Sequence, residues 1–287
     1  MNATGTVVVA TRNRAGLVVD TVGRLLADAD DWPVIVVDDA SDDDTSQRLD
    51  CCFGGSITII RLERNARAAA RNEGVRAATT ELVAFADDDS WWAPGSLCRA
   101  ADVFAADERV GLVAATVIME PKHVPAPIVE AYRESALPAT AHGPSVLGFL
   151  ACGAIVRRAA YLEVGGFHPL LGIGGEEALL AMDLRAAGWT LVHVPDVVAH
   201  HQSAKTGREG RPATVIYNEL VVQWLRRPVR TAVASTLRTV RAAVDDSESR
   251  RALRRLLAQA PLLLHDRRPL PDDVEEQVEQ LAVQPAG

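Results

Sequence analysis

The chain has only four cysteines in 287 residues. None forms a Cys-x-x-Cys pair and none is spaced with histidines as zinc ligands are, which leaves no disulfide framework and no zinc-finger signature. Cys51, Cys52, Cys98 and Cys152 are expected to be reduced, mostly buried thiols of a cytosolic protein. The first apolar run, Val7 to Ala10, is too short for a secretory signal and has no basic residue before it. The longer apolar stretches, such as Leu112 to Met119, fall far short of the ~20 residues needed to span a bilayer. The expectation is therefore a soluble, cytoplasmic protein, at most peripheral to the inner face of a membrane. No Gly-x-Gly-x-x-Gly follows the first β-like run and no Gly-x-x-x-x-Gly-Lys-Ser/Thr occurs, which argues against dinucleotide-dependent oxidoreductases and P-loop phosphotransferases. The Gly-rich, Arg-containing loop of sugar-phosphate nucleotidyltransferases is also missing after that run. Net positive charge is absent too: at −8 the chain is not built for nonspecific nucleic-acid binding.

What is present is an ordinary globular composition, 48% hydrophobic and 24% charged. The charge is divided unevenly. Residues 1–204 carry a net −11 and residues 205–287 a net +3, and the same boundary separates a main body from a helical tail. An acidic body that handles an anionic ligand needs metal ions or backbone dipoles to do so.

Thr6 to Ala10 is β-branched and ends at Thr11-Arg12-Asn13-Arg14, and a helix follows with Val18, Val22, Leu25 and Leu26 on one face. A second strand, Val34 to Val37, ends at Asp38–Thr45. Ser56 to Leu62 reads as a third strand, Arg67 to Ala78 as a helix and Leu82 to Ala86 as a fourth strand. Strands that are apolar throughout and alternate with helices predict an α/β fold whose mostly parallel sheet is covered on both faces. Ligands of such sheets bind beyond the carboxyl ends of the strands. Three of those ends here carry Thr11–Arg14, Asp38–Asp44 and Asp87–Asp89.

The last of these, Asp87-Asp88-Asp89 before Ser90-Trp91-Trp92, is the most informative stretch. In extended chain Asp87 and Asp89 share a side and Asp88 points away. Two same-facing carboxylates repel unless a cation or a hydrogen-bonding ligand lies between them. Hard divalent cations prefer such oxygens and often share them with substrate phosphates. A solvated acidic turn is the plainer alternative, and the convergence of the three strand ends weighs against it.

With Thr11-Arg12-Asn13-Arg14, Val36-Val37-Asp38-Asp39-Ala40-Ser41, Ala70-Arg71-Asn72-Glu73-Gly74, Asp87-x-Asp89, Gly165-Gly166-Phe167, and Gly175-Glu176-Glu177 followed by Asp183 to Trp189, the chain resembles family 2 glycosyltransferases over roughly residues 5 to 203. The resemblance implies the GT-A fold, a Rossmann-like sheet with helices on both faces, here with a C-terminal helical appendage. It implies that Asp39 accepts from the nucleotide base and that Thr11, Arg12 and Arg14 line base and ribose. It places Arg71 on the nucleotide side, Asp87 (with Asp88 beside it) toward the ribose, and Asp89 on the metal, Mn²⁺ or Mg²⁺. The family usually has Glu-Asp at 176–177, where the second residue is the catalytic base. Glu177 stands there with one extra methylene, and Glu176 is a substitute. Ala66 and Ala10 also stand where the family usually has Gly and often has Pro.

The implied reaction is inverting transfer of a sugar from a UDP, dTDP or GDP donor to a hydroxyl of a glycan, lipid carrier or natural product. A further metal contact is expected where the last strand, Thr190 to Val194, ends: His200 matches best, with His201 close behind, and imidazole suits Mn²⁺ better than Mg²⁺. Lys205, Arg208 or Arg211 could close over the diphosphate. No Gln-x-x-Arg-Trp follows Glu177, so processive synthases match poorly. A nucleotidyltransferase and a catalytically silent nucleotide-sugar-binding partner are the competing readings. Residues 116–147, rich in proline, read as loops or short helices, with His123 and His142 at the surface. Phe149 to Val156 reads as a strand, whose Ala151, Gly153 and Ala154 would permit either a sugar's approach or close packing. In the tail Arg250, Arg251, Arg254 and Arg255 face away from Leu253, Leu256 and Leu257, a pattern that suits either packing on the body or contact with an anionic membrane.

Overall fold

The structure is a computed structural model and describes residues 4–202 and 211–282. It contains, in chain order, β1 (Gly5–Thr11), α1 (Ala15–Asp28), β2 (Val34–Asp38), α2 (Thr45–Phe53), β3 (Thr58–Arg61), α3 (Ala70–Ala77), β4 (Leu82–Asp87), β5 (Ser90–Trp92) and α4 (Ser96–Ala106). Then come β6 (Val110–Met119), β7 (Val124–Pro125), α5 (Pro127–Arg133), β8 (Ala154–Arg157), α6 (Arg158–Glu163), α7 (Glu176–Ala186) and β9 (Thr190–His201). The chain continues into α8 (Arg211–Arg226), α9 (Val229–Ala242), α10 (Ser247–Ala258), α11 (Ala260–His265) and α12 (Asp272–Ala282).

The strands form one sheet in the order β3-β2-β1-β4-β8-β6-β9-β5, with β7 beside β6. β1 pairs in parallel with both β2 and β4, and β2 with β3, which is the parallel arrangement expected from the apolar runs. The other half is mixed, because β8 runs antiparallel to its neighbours β4 and β6, and β5 antiparallel to β9. Strand alternation sorts the core into two layers. Val7 and Val9 of β1 join α1 and α4 through Val18, Val22, Leu97 and Phe104. Val8, Val83 and Phe85 face the other way, onto Val75 of α3, Tyr161 of α6 and Leu184 of α7. Gly74 permits that second layer to close: a Cβ there would lie 2.4 Å from Cγ1 of Val8. Small size at this point seats α3, and with it Arg71, directly on β1 and β2.

Four local expectations differ from the structure. Phe149 to Val156 is not one strand: a single 3-10 turn, Ala151–Gly153, precedes β8. Gly153 is used for packing, since a Cβ would meet Val117 at 2.4 Å. Residues 116–119, read as part of a loop region, extend β6, because β7 and β9 pair with them. Pro195 does not end the last strand. Pairing with β6 skips from Val194 to Val198, residues 195–197 bulge out, and the Thr116 hydroxyl donates to the Pro195 carbonyl at 3.0 Å. Finally, Cys51, Cys52 and Cys98 are exposed and only Cys152 is buried, because α2 and α4 turn those positions to solvent.

The tail packs on the body through a third core, in which Leu171, Leu179 and Met182 meet Tyr217, Leu220, Leu225, Leu256 and Val274. Two internal ion pairs add to this packing, one to the body and one within the tail. Arg226 holds Asp183 of α7, and Arg227 donates to Glu275 of α12 at 2.7 Å. Of the α10 positions, Ala252 and Leu256 are buried, Leu257 is 73% exposed, and Arg255 covers the Tyr217 ring at 3.8 Å. Among the described residues no helix is long and apolar enough to cross a membrane.

Candidate active site

The three strand ends converge as expected, and hydrogen bonds within them hold the loops. The Asn13 backbone N–H donates to Ser41 Oγ and the Asp42 N–H to Asn13 Oδ1, at 2.9 and 2.7 Å, tying the end of β1 to that of β2. Asn13 and Ala40 both take left-handed backbone conformations, φ 55° and 56°, which the tight loops impose. Arg12 reaches outward to Asp42 at 3.2 Å. Asp39 is buried, and its two oxygens accept the backbone N–H groups of Ala66 and Arg67 at 2.6 and 3.0 Å.

The three consecutive aspartates have three different environments. Asp87 is held by Arg71. Asp88 turns under the loop, where it accepts from the Thr11 hydroxyl at 3.0 Å and from Arg14 at 2.8 Å, and its carbonyl accepts from Thr21. Burial pushes the Asp88 carboxyl up to about 6, against the pull of Arg14. Thr11, Arg14 and Asp88 thus form a brace beneath the acidic loop. Asp89, also buried, lies 3.1 Å from His201 Nε2 and 3.5 Å from Arg14. The hydrogen bond to Asp89 raises the His201 pKa in spite of burial.

Asp87, Asp89 and His201 offer ligand atoms that all lie within 4.8 Å of one another, two hard carboxylates and an imidazole. That donor set suits Mn²⁺. His200 is elsewhere. Both histidines lie within β9, where successive side chains point to opposite faces, so His201 meets Asp89 and His200 meets Glu120.

Arg71 pairs with Asp87 and is close enough to Glu176 and Glu177 to feel their charge. Burial acts against its charge, and Asp87, Glu177 and Glu176 more than offset it, so its pKa is raised. Gly174 and Gly175 enter α7 with φ of 96° and 92°, a left-handed approach that suits glycine and puts Glu176 and Glu177 in the first turn. Burial first, and the charge of Glu176 second, push the Glu177 carboxyl up to about 8. One of its oxygens accepts the Ala151 N–H at 2.6 Å. Glu176 is more deeply buried, its pKa also raised by burial, and its Oε2 has no hydrogen-bond partner among the described residues.

Two supports are absent from the list of sequence candidates. The buried Asn72 amide donates to the Phe167 carbonyl at 2.9 Å and accepts from the Phe167 N–H at 3.0 Å and the Tyr161 hydroxyl at 2.5 Å. It locks the Gly165–Phe167 turn onto the Arg71 helix, and its place inside the Ala70–Gly74 motif was the available signal. Asn218, fully buried on α8, donates to the carbonyls of Ile173 and Gly174 at 3.0 and 2.5 Å, so the tail holds the turn that presents Glu177. Nothing local in the tail sequence announces this. Lys205 and Arg208 lie outside the described residues, and Arg211 opens α8. A concavity of about 600 Å³ between loops 62–69 and 165–169 is lined by Arg67, Asn72 and Phe167 and by none of the clustered aspartates.

The fold, an α/β sheet whose parallel strand ends carry Asp87–Asp89 with His201 and the Glu176–Glu177 helix start nearby, is that of GT-A glycosyltransferases. Residues 6–165 match the sequence model described as Glycosyl transferase family 2, and the chain belongs to that family. Over 112 residues it is 30% identical to the N-acetylglucosaminyl-diphospho-decaprenol L-rhamnosyltransferase of Mycobacterium tuberculosis, covering 36% of each chain. Over 94 residues it is 29% identical to the succinoglycan biosynthesis protein ExoU of Rhizobium meliloti, covering 32% of this chain and 28% of that one. The matches thus span about a third of the length of these curated relatives. In fold it is similar to the mannosyltransferase PcManGT of Pyrobaculum calidifontis, solved with GDP-Man and Mn2+ (TM-score 0.61, 22% identity, 98% of this chain and 86% of that one). It is similar as well to S. aureus TarS 1-349 in complex with UDP-GlcNAc (TM-score 0.61, 18% identity, 89% and 73%).

Proposed function

We propose that the protein transfers a sugar, with inversion, from a nucleoside diphosphate to an acceptor hydroxyl, with Glu177 as general base. The observation that carries this reading is the place of Arg71, which pairs with Asp87 of the Asp87/Asp89/His201 group and is near enough to Glu176 and Glu177 for their charges to act on it. Glu177, held by Ala151 and with its pKa pushed up to about 8, is suited to accept a proton near neutral pH. The acceptor oxygen bonds to the anomeric carbon as its proton passes to Glu177, and the bond to the nucleoside diphosphate breaks on the opposite face. Asp87, Asp89 and His201 would hold a Mn²⁺ or Mg²⁺, which would supply Lewis-acid stabilisation to the departing diphosphate. Arg71 neutralises Asp87 and keeps the two acidic groups from repelling each other. Asp39, with one backbone N–H on each oxygen, retains lone pairs for the N–H of uracil, thymine or guanine.

Calorimetric titration with UDP, dTDP and GDP, each with and without Mn²⁺, tests the donor half of this reading. One of the three is expected to bind in a metal-dependent way. Failure of all three with metal present removes the support for a nucleotide-sugar site.

The tail favours an acceptor at a membrane surface. Val229, Val233, Leu237, Val240 and Val244 recur at helical spacing along and just beyond α9, are 39–76% exposed, and have the exposed Arg230 and Arg241 beside them. An apolar stripe edged by arginines fits the surface of an anionic bilayer. The protein is expected to co-sediment with phosphatidylglycerol vesicles and not with phosphatidylcholine vesicles. The double substitution Val233→Asp/Leu237→Asp is expected to abolish the association while leaving donor binding unchanged. Equal sedimentation of the substituted and unsubstituted proteins would refute the membrane contact.

A further inference from the structure

Glu120, His123 and His200 form a second group of ligand-bearing side chains, outside the machinery just described. They come from three places: the end of β6, the turn before β7, and β9. Their donor atoms lie within 4.8 Å of one another. His123 Nδ1 and His200 Nδ1 both converge on Oε1 of Glu120, at 3.1 and 2.9 Å, with the two imidazole centroids 6.0 Å apart.

The arrangement is built rather than incidental. The His200 ring stacks on Trp91 at 5.4 Å and 9°, and Arg24 covers that indole at 4.1 Å, so the imidazole orientation is set by packing. The Glu120 backbone N–H donates to the His201 carbonyl at 2.9 Å, fixing the stem of the carboxylate to the same strand. His123 takes a left-handed backbone conformation, φ 54°, which brings its ring back over Glu120 although the side chain is exposed. Two partly buried ligands and one exposed ligand leave an open approach from solvent.

We propose that Glu120, His123 and His200 bind a divalent transition-metal ion of the Zn²⁺ class at a site separate from Asp87, Asp89 and His201. Two imidazole nitrogens and one carboxylate are a recurrent three-residue Zn²⁺ donor set, with water in the fourth position. Their softness separates this site from the oxygen-rich acidic cluster, which favours harder ions. The two sites lie on opposite faces of one strand, through the adjacent residues His200 and His201. A bound ion would clip the turn at His123 to the end of β9, and so steady the strand that carries His201 toward the acidic loop.

The test is a Zn²⁺ titration of the metal-stripped full chain by calorimetry, comparing the unsubstituted protein with His123→Ala and Glu120→Gln. His123 is exposed, so its replacement leaves the packed core untouched. The unsubstituted protein is expected to bind one more equivalent of Zn²⁺ than His123→Ala, or to bind that equivalent at least about 100-fold more tightly, exceeding the 10–100-fold effect of outer-shell partners. Glu120→Gln is expected to behave as His123→Ala does. Co²⁺ in place of Zn²⁺ is expected to show the visible absorption of a tetrahedral ion, retained in His201→Ala and lost in His123→Ala. Mn²⁺-dependent nucleotide binding should persist in His123→Ala, which separates failure of this site from failure of the donor site. Zn²⁺ stoichiometry and affinity that are unchanged by His123→Ala would overturn the proposal, as would Co²⁺ absorption lost only in His201→Ala.

Discussion

Glu177→Gln is expected to lower the turnover number by about 10²–10⁴-fold, the usual contribution of a general base, while leaving metal-dependent donor affinity within about twofold. The same substitution is expected to raise stability at alkaline pH, and that pairing of effects is the diagnostic part. The native pKa of about 8 lies above the ~4.3 of an unfolded glutamate. Below about pH 4.3 the carboxyl is protonated in both states and costs nothing. Between about 4.3 and 8 the unfolded chain binds fewer protons than the native state, so stability falls as pH rises, and above 8 the full penalty is present. Glutamine removes that penalty and keeps an oxygen for the Ala151 N–H. The full shift corresponds to about 5 kcal/mol, and solvent screening of a side chain that is only partly exposed discounts the expected gain to about 2 kcal/mol at pH 8. Denaturant unfolding at pH 4.5 and pH 8 measures this directly. A merely helix-capping glutamate would lose stability on substitution and keep its turnover. A base of raised pKa also predicts that kcat/KM climbs tenfold per pH unit up to about pH 8 and then levels.

The parts of this molecule that were legible in the sequence are those governed by local pattern. β1, β2 and β4 are unbroken apolar runs, because a parallel strand covered on both faces has no polar side to show, and the acidic turns follow directly at their ends. The antiparallel half of the sheet was less legible for an equally physical reason. β9 contains Pro195 and survives it by bulging, which depends on β6 lying alongside and on Thr116 meeting the Pro195 carbonyl. That pairing is what carries the strand through to His201 and divides the two histidines between its faces. The Ala151 N–H that holds Glu177, and the Asn218 amide that holds the turn before it, are contacts between segments 26 and 44 or more residues apart. No spacing rule reaches that far. Asp88 shows the same limit from another side. Alternation placed it away from Asp87 and Asp89, but only the fold brings Thr11 and Arg14 to it and makes the trio a brace.

Asp89→Asn is the substitution expected to affect donor binding most. Asparagine preserves the side chain's shape in a buried position, and Arg14 keeps its stronger partner, Asp88, at 2.8 Å, so the loop retains its brace. What is lost is the negative charge that a hard cation needs and that favours the charged form of His201. Mn²⁺ affinity is expected to fall by more than the about 10–100-fold that outer-shell changes produce. Nucleotide binding in Mn²⁺ should then drop to the level seen in EDTA, and transfer should be lost with it. His201→Ala should move both quantities in the same direction, less steeply, because two carboxylates remain. The contrast with Glu177→Gln separates the two halves of the site: one variant binds donor and does not turn over, and the other fails to bind donor through the metal. If Asp89→Asn retained Mn²⁺-dependent nucleotide binding, the 87–89 loop would be a solvated acidic turn, and the diphosphate would have to be held elsewhere in the fold.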